Sequence, residues 1–155
     1  MTALREGASV ADSAAITPIS KRNAPSFAWR ESCEGWTLTS TPTLHIIQER
    51  MPPGTFELRH VHEVTQQFYY VLEGEATVQL DGSEITVSAG EGVSVAPTVA
   101  HQMRNDSSQP LEFLVISSQP PREDRVDLTE SGPGPGITSA DYGERDGPPA
   151  CRAPG

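Results

Sequence analysis

Three of the four histidines in this 155-residue chain, His60, His62 and His101, fall in one β-rich stretch at spacings that suit a metal ion. Residues two apart on a strand leave the same face. His60 and His62 therefore point together, with Cβ atoms about 7 Å apart. Imidazoles so placed can converge on one divalent ion through bonds near ~2.1 Å. After the short turn Glu63-Val64-Thr65 come Gln66 and Gln67. An amide oxygen here can supply a neutral fourth ligand. Adjacent strand residues face opposite ways, so only one of the two glutamines can point inward. His101 comes two hairpins later and reaches the others only if the strands close on themselves.

The elements that must position these residues are short β runs. Thr43–Met51 carries Leu44, Ile46, Ile47 and Met51, and Phe56–His62 alternates. Phe68–Leu72 reads Phe-Tyr-Tyr-Val-Leu, the strongest strand pattern in the chain. Ala76–Leu80 alternates, and Asp81-Gly82 follows as a tight hairpin turn. Glu84–Val87, Val93–Ala96, Ala100–Arg104 and Leu111–Ile116 complete the series. Close-spaced strands with no helical pattern between them predict an all-β sandwich or barrel. Phe27, Trp29 and Trp36 precede the first strong strand and read as a packing flap over a sheet or an edge.

Strand parity extends the site. Tyr69 shares the face of Gln67, so it is expected in the cavity, either as core packing or as a catalytic acid. Met103 shares the face of His101, and Phe56 and Leu58 share that of His60. Together Phe56, Leu58, Tyr69 and Met103 are expected to form the wall of a substrate pocket. Arg59 and Arg104 have the opposite parity and read as surface charges. Glu63 reads as an exposed loop carboxylate, placed where it could also orient a histidine. His45 is given no role.

Two segments carry a resemblance. Gly54-(5)-His60-Val61-His62-(4)-Gln67-(6)-Gly74 resembles the first cupin motif, and Gly90, Pro97, His101 and Asn105 resemble the second. Val71-Leu72-Glu73-Gly74-Glu75 is similar to the cupin hairpin sequence. The resemblance covers roughly Thr43–Ser118 and, more finely, is to small single-domain, phosphomannose-isomerase-like cupins. It implies a double-stranded β-helix, or jelly-roll barrel, with one divalent metal ion (Mn, Fe, Zn or Ni) held by His60, His62, Gln67 and His101. The six-residue gap to Gly74 selects Gln67, whereas a three-residue gap from His62 would select Gln66. We take Gln67, because the strand to Gly74 is regular and the preceding turn can absorb a residue. The resemblance also implies a small-molecule substrate or ligand and a homodimer formed through the barrel edge, with Phe27, Trp29 and Trp36 supplying apolar surface.

Glutamine stands where the family usually has a carboxylate. Four neutral ligands leave the ion its full formal charge, which makes it a stronger Lewis acid and stabilises a ferric state less. This favours isomerisation, elimination or hydration over redox turnover. An iron-dependent dioxygenase and a non-catalytic binding module are the alternatives. A metal-free variant of the fold would instead use His60 or His101 as general base with Tyr69 as acid.

The composition narrows the field further. The net charge is −10 and no Lys/Arg cluster appears, so contact with nucleic acid or an anionic membrane is not expected. Residues 1–20 lack an apolar run suited to a signal peptide, and no stretch has the length of a membrane span. A cytoplasmic protein is expected, with Cys33 and Cys151 as two independent thiols. Residues 1–25 read as a flexible segment, 26–118 as the barrel, and 119–155, rich in Pro, Gly and acidic residues, as a disordered tail.

Overall fold

In a computed structural model, residues 16–29 and 32–128 are described, together with the backbone of 151–152. The described residues form strands and no helix, so none of them builds a helix long and apolar enough to cross a membrane. One sheet runs in the order β1 (Ser26–Trp29), β2 (Cys33–Thr41), β3 (Leu44–Met51), β11 (Leu111–Ser117), β6 (Gln67–Glu73), β9 (Gly92–Val95). The second is built around β10 (His101–Arg104). It is flanked by β4 (Phe56–Glu57) and β5 (His60–His62) on one side and by β7 (Glu75–Leu80), itself paired with β8 (Ser83–Ser88), on the other. All pairings are antiparallel.

Period-two patterning decides which side chains fill the interior. In β11, Leu111, Phe113, Val115 and Ser117 are buried while their neighbours are half-exposed. In β6, Gln67, Tyr69 and Val71 are buried. Tyr69 and Phe113 pack with ring centroids 6.1 Å apart, and burying each such side chain contributes about 2–3 kcal/mol. Met51, Val78, Val95, Met103 and Leu111 complete the same core.

Motif residues that carry no chemistry do structural work. Gly74 joins β6 to β7 at φ +82°, and a Cβ there would lie 2.4 Å from the Pro110 carbonyl oxygen. Asn105, fully buried, donates through its side-chain amide to the Met51 and Gln109 carbonyls. Its backbone N–H donates to Thr55, and its own carbonyl receives Gly54 N–H. The two motifs are thus bolted together at the end of the barrel away from the histidines.

Two expectations need correction. First, the barrel does not end at Ser118. Residues 119–128, assigned to a tail, continue into β12 (Arg125–Asp127), which pairs with β5; the backbone of β13 (Cys151–Arg152) pairs with β4. The remaining tail positions and residues 1–15 lie outside the described residues. Second, Trp29 packs as the flap reading expected but does not offer apolar surface to a partner: it is 3% exposed and belongs to the core, while Phe27 and Trp36 are half-buried.

Candidate metal centre

β5 presents His60 and His62 inward, and β10 presents His101 opposite His60 in register. The candidate ligand atoms of the three histidines lie within 4.8 Å of one another, and all three residues are buried. The loop before β10 is tied down by Thr98 N–H donating to the His62 carbonyl at 2.7 Å. Thr98 takes a positive φ of 69° to do so. That anchor fixes how far His101 enters.

Each ring is oriented by an acceptor at Nδ1. The partners are Leu58 O for His60 (2.8 Å), Asp124 Oδ1 for His62 (3.0 Å) and Val99 O for His101 (2.9 Å). A neutral imidazole that donates from Nδ1 keeps a lone pair on Nε2. His60 Nε2 and His62 Nε2 are buried and have no hydrogen-bond partner among the described residues. His101 Nε2 faces Gln67 Oε1 at 2.9 Å. With these tautomers both atoms are acceptors, so a cation rather than a proton suits the space they share. Burial lowers all three histidine pKa values, that of His101 to about 4, which keeps the lone pairs available at neutral pH. The donor set fits a divalent ion.

Gln67 is 4% exposed and inward, whereas Gln66 faces solvent. The Gln67 amide is held at both ends: its Nε2 donates to Ser117 Oγ (3.2 Å), and the Tyr69 hydroxyl donates to its Oε1 (3.3 Å). Burial raises the Tyr69 pKa well above its usual value.

The cavity beside the histidines has a volume of about 330 Å³. Of the four expected wall residues only Tyr69 lines it; Phe56, Leu58 and Met103 do not. The reason lies in β-sheet register. β10 pairs His101 with His60 and Arg104 with Phe56. Three steps on β10 therefore oppose four on the other strand, which is the signature of a β-bulge. The extra residue at Leu58-Arg59 inverts the parity: Phe56 and Leu58 turn half outward and Glu57 turns in. Met103 is inward but packs in the hydrophobic core.

Sequence parity missed several residues of the cavity. Glu49 and Glu57 line it, buried, each with one carboxylate oxygen lacking a partner. Burial raises both pKa values, that of Glu57 to about 7 against the opposing pull of Arg125. Arg125 reaches the cavity from β12, its Nε donating to Asp127 Oδ1 at 2.7 Å. His45, given no role, also lines the cavity and bonds Ser40 Oγ through Nδ1 at 3.0 Å. Arg104 is the surface charge expected, paired with Glu84 and Asp106. The carboxylate that orients a histidine is Asp124, while Glu63 is exposed.

Comparison with known proteins bears on the barrel architecture. The chain superimposes on an uncharacterised conserved protein from Klebsiella pneumoniae with a double-stranded β-helix domain. The TM-score is 0.59 at 19% identity, covering 67% of this chain and 90% of that one. The architecture is therefore a double-stranded β-helix. Residues 47–117 match the family model for the cupin domain. The chain is 29% identical over 80 residues to the uncharacterised protein MJ1618 of Methanocaldococcus jannaschii, covering 52% of this chain and 64% of that protein. It is 30% identical over 67 residues to the oxalate-binding protein of Thermotoga maritima, covering 43% and 55%. The chain thus spans less than two thirds of the length of these curated relatives.

Proposed function

We propose that this chain is a cupin that binds one divalent metal ion through His60, His62, Gln67 and His101 and uses it to transform a small oxygen-rich metabolite by isomerisation, elimination or hydration. The observation that carries this reading is the cluster of three buried histidines, their ligand atoms within 4.8 Å of one another and the Nε2 atoms of His60 and His62 without a hydrogen-bond partner, with the neutral Gln67 amide oxygen 2.9 Å from His101 Nε2. When bound, the ion supplies Lewis acidity at a carbonyl or carboxylate oxygen. The chain supplies the rest. Glu57, with its pKa near neutrality, lines the same cavity and can hold or release a proton at its Oε2, which has no hydrogen-bond partner and lies 3.9 Å from His60 Nδ1. Arg125 places a positive charge where anionic character develops. Tyr69, whose raised pKa makes it a poor acid, positions the Gln67 oxygen.

The test is proton NMR in heavy water with a panel of small hydroxy and keto acids. The metal-loaded chain should exchange or shift a carbon-bound proton that the chelator-treated chain leaves alone. Product formation matched by oxygen consumption would replace this reading with a dioxygenase. The name of the Thermotoga relative favours a second reading, a binding module without turnover. In that case an acid stabilises the fold and is recovered unchanged.

A further inference from the structure

Five buried side-chain atoms among the described residues lack a hydrogen-bond partner: Trp29 Nε1, Glu49 Oε2, Glu57 Oε2, His60 Nε2 and His62 Nε2. All five residues line the one 330 Å³ cavity. Buried polar groups in a folded protein are almost always satisfied, so a cluster of exceptions around one space points to an occupant that satisfies them. The two histidine nitrogens belong to the metal centre. The other three are not candidate ligands, although Glu57 Oε2 lies 3.9 Å from His60 Nδ1 and so borders that centre; they come from three separate strands, β1, β3 and β4. Trp29 is 3% exposed, Glu49 4% and Glu57 5%.

We propose that Trp29, Glu49 and Glu57 form a second, hydroxyl-reading pole of the cavity, which selects a polyhydroxylated carbon chain such as a sugar acid. The inference deepens the function proposed above and rests on it only for the placement of the acid end at the metal centre. The three unpaired atoms are one N–H donor and two carboxyl oxygens. A hydroxyl group both donates and accepts, so a row of hydroxyls can give hydrogen bonds to Glu49 and Glu57 and take one from Trp29. That match holds whether either carboxyl is charged or neutral. A bare dicarboxylate offers only acceptors: it can take a hydrogen bond from Trp29 or from a protonated carboxyl, but it gives none to the carboxyl oxygens and is repelled by either carboxyl when ionised. The Trp29 and Tyr69 rings, Ile47 and Val115 give the C–H faces of such a chain apolar surface to lie against. The volume, at the low end for ligand pockets, suits a small metabolite.

The experiment is isothermal titration calorimetry of the full chain, supplied with one equivalent of zinc, against D-gluconate and glutarate. Metal content is measured in every sample. Gluconate should bind about tenfold more tightly than glutarate. Trp29→Phe, which removes the N–H while keeping a ring, and Glu49→Met should each weaken gluconate about three- to tenfold. Glutarate should change less than about twofold. Glutarate binding as tightly as gluconate, gluconate affinity indifferent to both substitutions, or no gluconate binding up to about 10 mM would overturn the proposal. A chain that carries no metal yet still discriminates between the two acids would contradict the metal reading and leave the hydroxyl-reading pole standing. A chain that carries metal and does not discriminate would do the reverse.

Discussion

Asp124 Oδ1 lies 3.0 Å from His62 Nδ1, across 62 residues of sequence. The same carboxylate accepts from Val64 N–H (2.7 Å), Thr65 N–H (2.8 Å) and Thr65 Oγ1 (2.8 Å). Burial opposes its ionisation, but these donors outweigh that and hold its pKa at about 2. One side chain therefore fastens the segment leading into β12 to the turn after β5 and sets the His62 ring. The C-terminal strap and the metal centre are mechanically one unit.

Replacing Asp124 should loosen both. Asp124→Ala is expected to lower metal affinity about 10- to 100-fold, because the ring loses the acceptor that fixes its orientation and raises its basicity. Asp124→Asn keeps an acceptor for His62 and should fall in between. Competition with a chromophoric chelator measures this. Unchanged affinity in Asp124→Ala would show that His62 needs no such support.

Gln67→Glu restores the carboxylate usual at this motif position. The Tyr69 hydroxyl can still donate to it, and the Ser117 hydroxyl can rotate to do so. The added charge should tighten divalent binding by at least about tenfold and let an iron-loaded sample retain ferric iron. Chelator competition and the ferric absorption spectrum would read the two effects. A variant that binds divalent metal more weakly would place Gln67 outside the ligand set.

Glu57 gives a pH-dependent stability. Burial raises its pKa from 4.5 to about 7 in the folded chain. The folded state therefore holds a proton that the unfolded state has lost, and stability falls as pH rises from 4.5 through 7. In metal-free protein, Glu57→Gln should be about as stable as the parent near pH 5 and more stable at pH 8. The gain should be on the order of 2–3 kcal/mol. Urea unfolding at the two pH values checks this, and an equal offset at both would mean that the carboxyl is not buried neutral.

Two glycines separate steric from conformational cost. Gly74→Ala would bring a Cβ to 2.4 Å from the Pro110 oxygen at φ +82° and should cost more than about 2 kcal/mol. Gly82→Ala has open space at φ +89° and should cost only about 1 kcal/mol. Urea midpoints of the two variants rank the effects, and equal losses would contradict the close approach at Pro110.

Which parts of the site could be read in the sequence follows from where period two holds. β6 is regular, so the six-residue gap to Gly74 picks out Gln67 rather than Gln66 as the inward residue. The His60–His62 pair survives because both lie on one three-residue strand. Phe56 and Leu58 miss the wall because parity was carried from His60 back to Phe56 across a bulge that nothing in Leu58-Arg59 announces. Glu49 was legible: it alternates with Ile47 and Met51, which are buried, and a carboxylate at a core parity is a warning of a polar interior. Asp124 was not. The segment around it reads as a solvated tail because it is held by side-chain hydrogen bonds and a three-residue strand, not by an apolar face.

The most direct test of the central claim is the metal content of the full chain, purified, loaded with a divalent ion and desalted, and then measured by mass spectrometry beside a His60→Ala/His101→Ala variant. The account predicts about one ion per chain in the parent. It predicts loss of that ion in the variant, with the fold retained by circular dichroism. Equal, substoichiometric metal in both would contradict it.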